Sequence, residues 1–183
     1  MHDVLNATVV MRAGMDWELA LYEVGRKAEP EIKPRELEST DLLDKGDRLV
    51  VNSRVAVVMS TYNGEKYLAE QIDSVLAQDK KVDLFVRDDG STDSTLELLE
   101  AYAAKGLLQY KAGENKGVVG SFFDALTMPD DSYDFVAFCD QDDAWHTDKI
   151  SRAVRMIAAR DQSVPQLYCS EYNFCDEDMN FIA

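Results

Sequence analysis

From Val55 onward, short apolar runs alternate with longer amphipathic stretches. Val55–Met59, VAVVM, is a β-branched run of the kind that fills a buried strand. Lys66–Gln78 follows with Leu68, Ile72, Val75 and Leu76 at helical spacing. Leu84–Val86 predicts a second strand. Ser94–Lys105 predicts a helix carrying Leu96, Leu98, Leu99 and Tyr102, stopped by Gly106. Leu107–Tyr110 reads as a third strand and Val118–Leu126 as a short helix after the turn Gly113–Gly117. Phe135–Cys139 reads as a fourth strand, Asp148–Arg160 as a helix and Leu167–Ser170 as a fifth strand. This alternation predicts an α/β fold, a mostly parallel sheet with helices on both faces.

Residues 1–54 lack that rhythm. Met15–Arg26 has the apolar spacing of an amphipathic helix, through Trp17, Leu19, Ala20, Leu21 and Val24. The segment AEPEIKPRELESTDLLDKGD, with two prolines and many charges, reads as linker or surface loop. Residues 1–53 are therefore expected to be an N-terminal extension or linker, compatible with the end of a preceding domain, before a domain spanning 54–183.

Composition narrows the function. The chain has 183 residues and a formal net charge of −16, which argues against binding nucleic-acid backbones or anionic lipid. No run approaches the roughly 18 apolar residues of a membrane span, and the N-terminus lacks the basic and apolar regions of a signal peptide. Cys139, Cys169 and Cys175 are odd in number and form no CxxC pair, so they read as reduced thiols in a cytoplasmic setting, with Cys139 and Cys169 inside apolar strands. His2 and His146 are the only histidines, which leaves few members for a Ser–His–Asp or Cys–His centre.

The chemistry gathers where apolar runs end in acids. VDLFVRDDGSTD and FVAFCDQDDAW each finish a predicted strand in paired carboxylates. Clustered carboxylates at buried strand ends call for a cationic or hydrogen-bonding partner, and open α/β sheets bind ligands at the carboxyl edge. A nucleotide diphosphate with a divalent cation meets both conditions. Six acids and no Lys or Arg lie between Asp130 and Asp143. The hard oxygen donors of Asp140, Gln141, Asp142 and Asp143 suit Mg²⁺ or Mn²⁺; a solvated charge cluster fits less well, because Phe135–Cys139 and Ala144-Trp145 flank them. Asp89 is placed to accept from a base imide or a ribose hydroxyl, whereas Ser91 and Asp93 are explained as helix caps. Ser60–Gly64 is a polar turn at the crevice, with Tyr62 available to a nucleobase; an ordinary helix cap is the alternative. Lys116, in the turn Asn115–Gly117, is the one base read close to the crevice and a phosphate or sugar contact. Asp176–Asp178 reads as a polar hairpin turn.

Four ordered segments, VAVVMSTYNGEKYLAEQIDSVLAQ, VRDDGSTDSTLELL, ENKGVVGSFFDAL and FCDQDDAWHTDKI, resemble family 2 glycosyltransferases of the GT-A fold over about residues 54–183, and most resemble the rhamnosyltransferase branch. The resemblance implies that residues 54–183 are the nucleotide-sugar-binding half of an inverting, metal-dependent enzyme of surface polysaccharide synthesis. Its donor would be a dTDP- or UDP-sugar, with dTDP-L-rhamnose the best match, and its acceptor a saccharide or a lipid-linked saccharide. Thr61 and Tyr62 would line the base pocket, flanked by Ser60 and Glu65. Asp89 would bond the base, Lys116 would belong to the donor site, and Asp140 would contact ribose or the metal shell. Asp142 would coordinate the metal, with Asp143 its competitor. The catalytic base is expected beyond Ala183, in an acceptor-binding half, so the chain reads as truncated and inactive alone, working in the cytoplasm or at the inner face of the membrane. A non-catalytic nucleotide-binding module is the main alternative. A nucleotidyltransferase is disfavoured, because the turn SerThrTyrAsnGly has one glycine and no arginine.

Overall fold

The computed structural model describes residues 9–12, 52–160, 165–170 and 182. The expected helix Met15–Arg26, Cys175 and the acidic turn Asp176–Asp178 lie outside them. Among the described residues, six strands form one sheet: β1 (Val9–Arg12), β2 (Val55–Thr61), β3 (Asp83–Asp88), β4 (Gln109–Ala112), β5 (Phe135–Cys139) and β6 (Leu167–Cys169), in the order β4-β3-β2-β5-β1-β6. The pairs β3–β4, β2–β3 and β2–β5 are parallel, while β1 runs antiparallel to both β5 and β6. Four helices connect the parallel strands and lead on to β6: α1 (Leu68–Leu76), α2 (Thr95–Ala103), α3 (Gly117–Ala125) and α4 (Lys149–Ala158).

Side chains alternate across the sheet with the strand period of two. Val55, Val57 and Met59 of β2, Leu84 and Val86 of β3, and Phe135, Ala137 and Cys139 of β5 face one side, where Leu68, Ile72 and Val75 of α1, Leu99 of α2 and Ile150, Val154 and Ile157 of α4 cover them. Ala56, Val58, Phe85 and Val136 face the other side, against Ala125 of α3 and Tyr133. Helices thus lie on both faces, as the alternation predicts. Hydrogen bonds tie α4 to α1: Gln78 Oε1 accepts from the Ile150 amide at 3.1 Å and Ser151 Oγ donates to Asp79 Oδ2 at 2.8 Å.

Two differences from the sequence reading have clear causes. No strand was expected in residues 1–53, yet Val9–Arg12 completes the sheet between β5 and β6, with Val10 fully buried in the core. Its pairing partners lie more than a hundred residues away, so no local pattern marks it. The strand expected at Leu107–Tyr110 begins two residues later, at Gln109. The amides of Gly106 and Leu107 bond back to the carbonyls of Ala103 and Tyr102 at 2.8 and 3.2 Å, and Gly106 has φ +70°. This is the left-handed glycine closure of α2, and it keeps Leu107 out of the strand. Cys169 sits in β6 as expected but is exposed, whereas Cys139 is buried.

Candidate functional site

The chain runs β2, β3, β4 outward and then returns to place β5 on the other side of β2. This reversal is a topological switch point, which opens a crevice at the carboxyl ends of β2, β3 and β5. The polar turn after β2, the paired acids after β3 and the acid run after β5 all reach it.

Gln141, the non-acidic member of the run after β5, joins that end to the turn after β2. Its Oε1 accepts from Thr61 Oγ1 at 2.6 Å and from the Tyr62 amide at 2.9 Å, and its Nε2 donates to the Tyr62 carbonyl at 3.2 Å. Thr61 is buried by this arrangement, while the Tyr62 ring stands 48% exposed at the crevice. Ser60 Oγ bonds Ser121 Oγ of α3 at 2.7 Å and so points to the α3 side. Glu65 works between loops: Oε2 accepts from the Ser94 amide at 3.1 Å, while the Glu65 amide donates to Asp93 Oδ2 at 3.1 Å. Asn63, at φ +48°, accepts from the Thr92 amide at 2.8 Å.

Gly64 packs under this junction. A Cβ there would lie 2.6 Å from Gln141 Oε1 and 2.8 Å from Thr61 Oγ1. Gly64→Ala is expected to separate Thr61 from Gln141 and cost roughly 1–3 kcal/mol, the range for overpacking a close contact. Chemical denaturation of the two proteins measures it; an unchanged midpoint and slope would show that the junction yields freely.

At the end of β3, both acids are buried and hydrogen-bonded. Asp88 Oδ1 accepts from the Gly90 and Ser91 amides, each at 3.1 Å, and Oδ2 meets the Ser91 hydroxyl. Asp89, 3% exposed, accepts from the Lys116 amide through Oδ1 at 2.8 Å and from the Gly117 amide through Oδ2 at 2.9 Å. The carboxylate therefore caps the start of α3. The Lys116 ammonium pairs with Asp124 of α3 at 3.1 Å. Arg87, one residue before the paired acids, is buried and binds Asp124 at 2.7 Å through Nε and the Glu114 carbonyl at 2.9 Å through Nη2. Lys111 reaches the other oxygen of Asp124 at 2.6 Å. These contacts hold the Asp124 carboxyl far below the usual carboxylate range.

The electrostatics are opposite after β5. Burial, then the Asp140 and Asp142 charges, push the Asp143 carboxyl up to about 6. Asp140 is raised by burial and by Asp142. Lys149 alone opposes the Asp143 shift; its ammonium, itself lowered by burial, lies 5.1 Å from the Trp145 ring centroid. Among the described residues, no three His, Cys, Asp or Glu side chains enclose a metal position by themselves. The donor set still fits a hard divalent cation: the carboxylates repel one another for want of a counter-charge, and Mg²⁺-type ions are commonly held by one or two carboxylates with phosphate oxygens completing the shell.

Sequence reasoning singled out Ser60, Thr61, Tyr62, Glu65, Asp89, Lys116, Asp140, Asp142 and Asp143. The structure brings Thr61, Tyr62 and Asp140–Asp143 together through Gln141, and Asp89 together with Lys116. It shows two further residues at these junctions, Arg87 and Asp124, and gives Gln141, read in the sequence as one more oxygen donor, the bridging role. Arg87 had a signal, being a cation inside the apolar run LFV-R-DD. Asp124 had none, as one acid on a short helix.

A parallel sheet with acid-bearing strand ends at a switch point is the architecture of the GT-A glycosyltransferases. The sequence model of Glycosyl transferase family 2 matches residues 56–174, and the chain belongs to this family. It is 38% identical over 102 residues to the dTDP-rhamnosyl transferase RfbG of Shigella flexneri, covering 52% of this chain and 35% of that protein. It is 29% identical over 104 residues to the UDP-Glc:alpha-D-GlcNAc-diphosphoundecaprenol beta-1,3-glucosyltransferase WfaP of Escherichia coli, covering 56% of this chain and 41% of the other. The crystal structure of S. aureus TarS 1-349 in complex with UDP-GlcNAc superposes with a TM-score of 0.51 at 32% identity, over 57% of this chain and 31% of that one. A mannosyltransferase from Pyrobaculum calidifontis, solved with GDP-Man and Mn²⁺, shares the fold at a TM-score of 0.53 and 23% identity, over 80% of this chain and 41% of its own. The matches thus span roughly a third of the length of these relatives, 35% for RfbG. No helix among the described residues is long and apolar enough to cross a membrane.

Proposed function

We propose that residues 54–183 are the donor-binding half of a metal-dependent, inverting glycosyltransferase, to which the preceding segment adds strand β1. The donor is a dTDP- or UDP-sugar, with dTDP-L-rhamnose the best reading, and the acceptor a saccharide or lipid-linked saccharide of a surface polysaccharide. The observation that supports this reading is that Gln141, within the acid run after β5, bonds Thr61 and Tyr62, while the Asp89 amide donates to the Thr61 carbonyl at 2.8 Å. The likeness to a dTDP-rhamnosyl transferase supports the choice of sugar nucleotide. A cytoplasmic location belongs to the same proposal; Cys139 and Cys169 are both free thiols.

In this reading the exposed Tyr62 ring stacks on the base. Asp89 takes the imide N–H through lone pairs left over from its two amide bonds, since a carboxylate has about four acceptor positions. Asp140 meets the ribose or the metal shell. Asp142 and Asp143 hold Mg²⁺ or Mn²⁺, which when bound supplies positive charge to the departing diphosphate. Lys116 supplies further positive charge at the mouth of the crevice.

Adenine offers no imide N–H. With Mn²⁺ present, dTDP and UDP are therefore expected to bind at least about tenfold more tightly than ADP, the order expected for losing one bond to a charged acceptor. Calorimetric titration of the three nucleotides into the parent and Asp89→Ala checks this. Tight ADP binding that survives Asp89→Ala would contradict the base assignment.

The carboxyls of Asp143 and Asp124 predict opposite pH effects. Asp143 is raised from 3.8 to about 6 in the fold, so the folded chain holds this proton more tightly than the unfolded chain. Its ionisation lowers apo stability as pH rises from about 4 to 6, and the penalty is constant above that. Asp124 is depressed, so its contribution is complete above its ordinary value of 3.8 and is lost as pH falls below it. Metal binding needs Asp143 ionised, so Mn²⁺ affinity is expected to fall about tenfold per pH unit below about 6. A Mn²⁺ titration followed by electron paramagnetic resonance from pH 5 to 8 reads this directly; a flat profile would remove Asp143 from the ligand set.

A further inference from the structure

Arg87 is the largest fully buried side chain of the described residues, 1% exposed, and carries a charge into the layer between the sheet and α3. Burying a guanidinium is costly unless its charge and its donors are met. Here the charge is met, and Nε and Nη2 find partners, in groups from two loops and one helix. Nε donates to Asp124 of α3 at 2.7 Å, Nη2 donates to the Glu114 carbonyl at 2.9 Å, and Nη2 lies 3.6 Å from Asp89 Oδ1. Nη1 is buried without a partner. The loop is shaped around this group. A Cβ on Gly113 would come within 2.9 Å of Nη2, and Gly90, at φ +84°, lies against the Gly113 carbonyl and the Asn115 amide. Lysine, a single point charge, does not span three directions as the planar fork does.

Three cations, Arg87, Lys111 and Lys116, thus share two carboxylates, Asp89 and Asp124. The same Asp89 carboxylate holds the amides of Lys116 and Gly117. We propose that Arg87 is a positioning residue of the donor site: from beneath, it locks the 113–117 loop to the acids after β3 and so sets the Asp89 carboxylate and the Lys116 ammonium toward the bound nucleotide diphosphate. This rests on the donor-binding reading above. Arg87 touches no nucleotide; it acts through Asp89, Glu114 and Asp124.

A purely structural ion pair makes a different prediction. Replacing a buried pair by apolar residues of similar volume often restores stability, so Arg87→Met combined with Asp124→Leu should recover much of the melting temperature lost in Arg87→Met. If Arg87 only supports the fold, nucleotide affinity recovers with it. If Arg87 positions the site, affinity stays low while stability returns.

The test measures the thermal midpoint and the dTDP dissociation constant with Mn²⁺ for the parent, Arg87→Lys, Arg87→Met, Arg87→Met/Asp124→Leu and Gly113→Ala. The last keeps every charge, lies on an exposed loop and displaces the guanidinium, so it remains informative if Arg87→Met does not fold. The proposal expects at least about tenfold weaker binding in the double variant, the loss typical of residues that orient ligands. It expects weaker binding in Gly113→Ala, measured well below that variant's thermal midpoint so that the chain is folded, and an intermediate value for Arg87→Lys. Parent-like affinity in a folded double variant, or in Gly113→Ala, overturns it. A parent chain that binds no pyrimidine nucleotide with Mn²⁺ overturns the donor-binding reading itself, whatever the variants do.

Discussion

Asp142→Asn is expected to lower Mn²⁺-dependent dTDP or UDP affinity by at least about tenfold, with the fold unchanged. Even residues that merely orient a metal ligand cost roughly 10–100-fold when removed, and the proposal gives Asp142 direct coordination. Its side chain is exposed, so no packing is lost. The substitution also removes one of the charges that raise Asp140 and Asp143. The apo protein should therefore be no less stable, and by this repulsion slightly more. Calorimetry with saturating metal gives the affinity and a melting curve without nucleotide gives the stability. Equal affinity in the two proteins would move the ligand role to Asp143 or Asp140. A destabilised apo fold would show that Asp142 serves structure.

Phe135→Ala should have the opposite profile, with a loss of about 3–5 kcal/mol in stability, the range for emptying a buried aromatic position. Phe135 is fully buried at the start of β5, with β2 on one side and β1 on the other. Its side chain packs in the larger core with α1 and α4. Because β5 carries Asp140–Asp143 at its far end, the variant tests whether the site depends on sheet integrity. Equilibrium urea denaturation provides the number. A loss under about 1 kcal/mol would mean that the core around β5 refills the space.

The parallel core was legible because β2, β3 and β5 each hold a short apolar run that ends in an acid or a polar turn, and the helices repeat their apolar residues at helical spacing; β4, QYKA and mostly exposed, has no such run and was expected two residues early. Val9–Arg12 was not legible. It is four residues long and pairs with β5 and β6 across more than a hundred residues, so neither its length nor its neighbours distinguish it from loop. The crevice was legible for the same reason as the strands: charge placed directly at the end of a buried run. What the sequence could not reveal is which of these polar groups face a ligand and which bind one another. Glu65 stands beside the turn in the sequence, yet in the fold it caps the segment before α2. Asp89 lies where a base acceptor was expected, but its two oxygens already hold the start of α3. Gln141 looked like one more oxygen donor among acids and is instead the bridge between β2 and β5. Those roles depend on distances across the sheet, which no one-dimensional pattern encodes.

In the proposed function, the acids at the end of β5 and the turn at the end of β2 form one metal-dependent nucleotide-diphosphate site. Titration of dTDP into this chain, with and without Mn²⁺ at pH 7.5, tests it most directly. A single site that binds at least about tenfold more tightly with the metal present is expected, since the repelling carboxylates need the cation before they can face a diphosphate. Equal affinity with and without Mn²⁺, or no binding of dTDP or UDP in either condition, would contradict it.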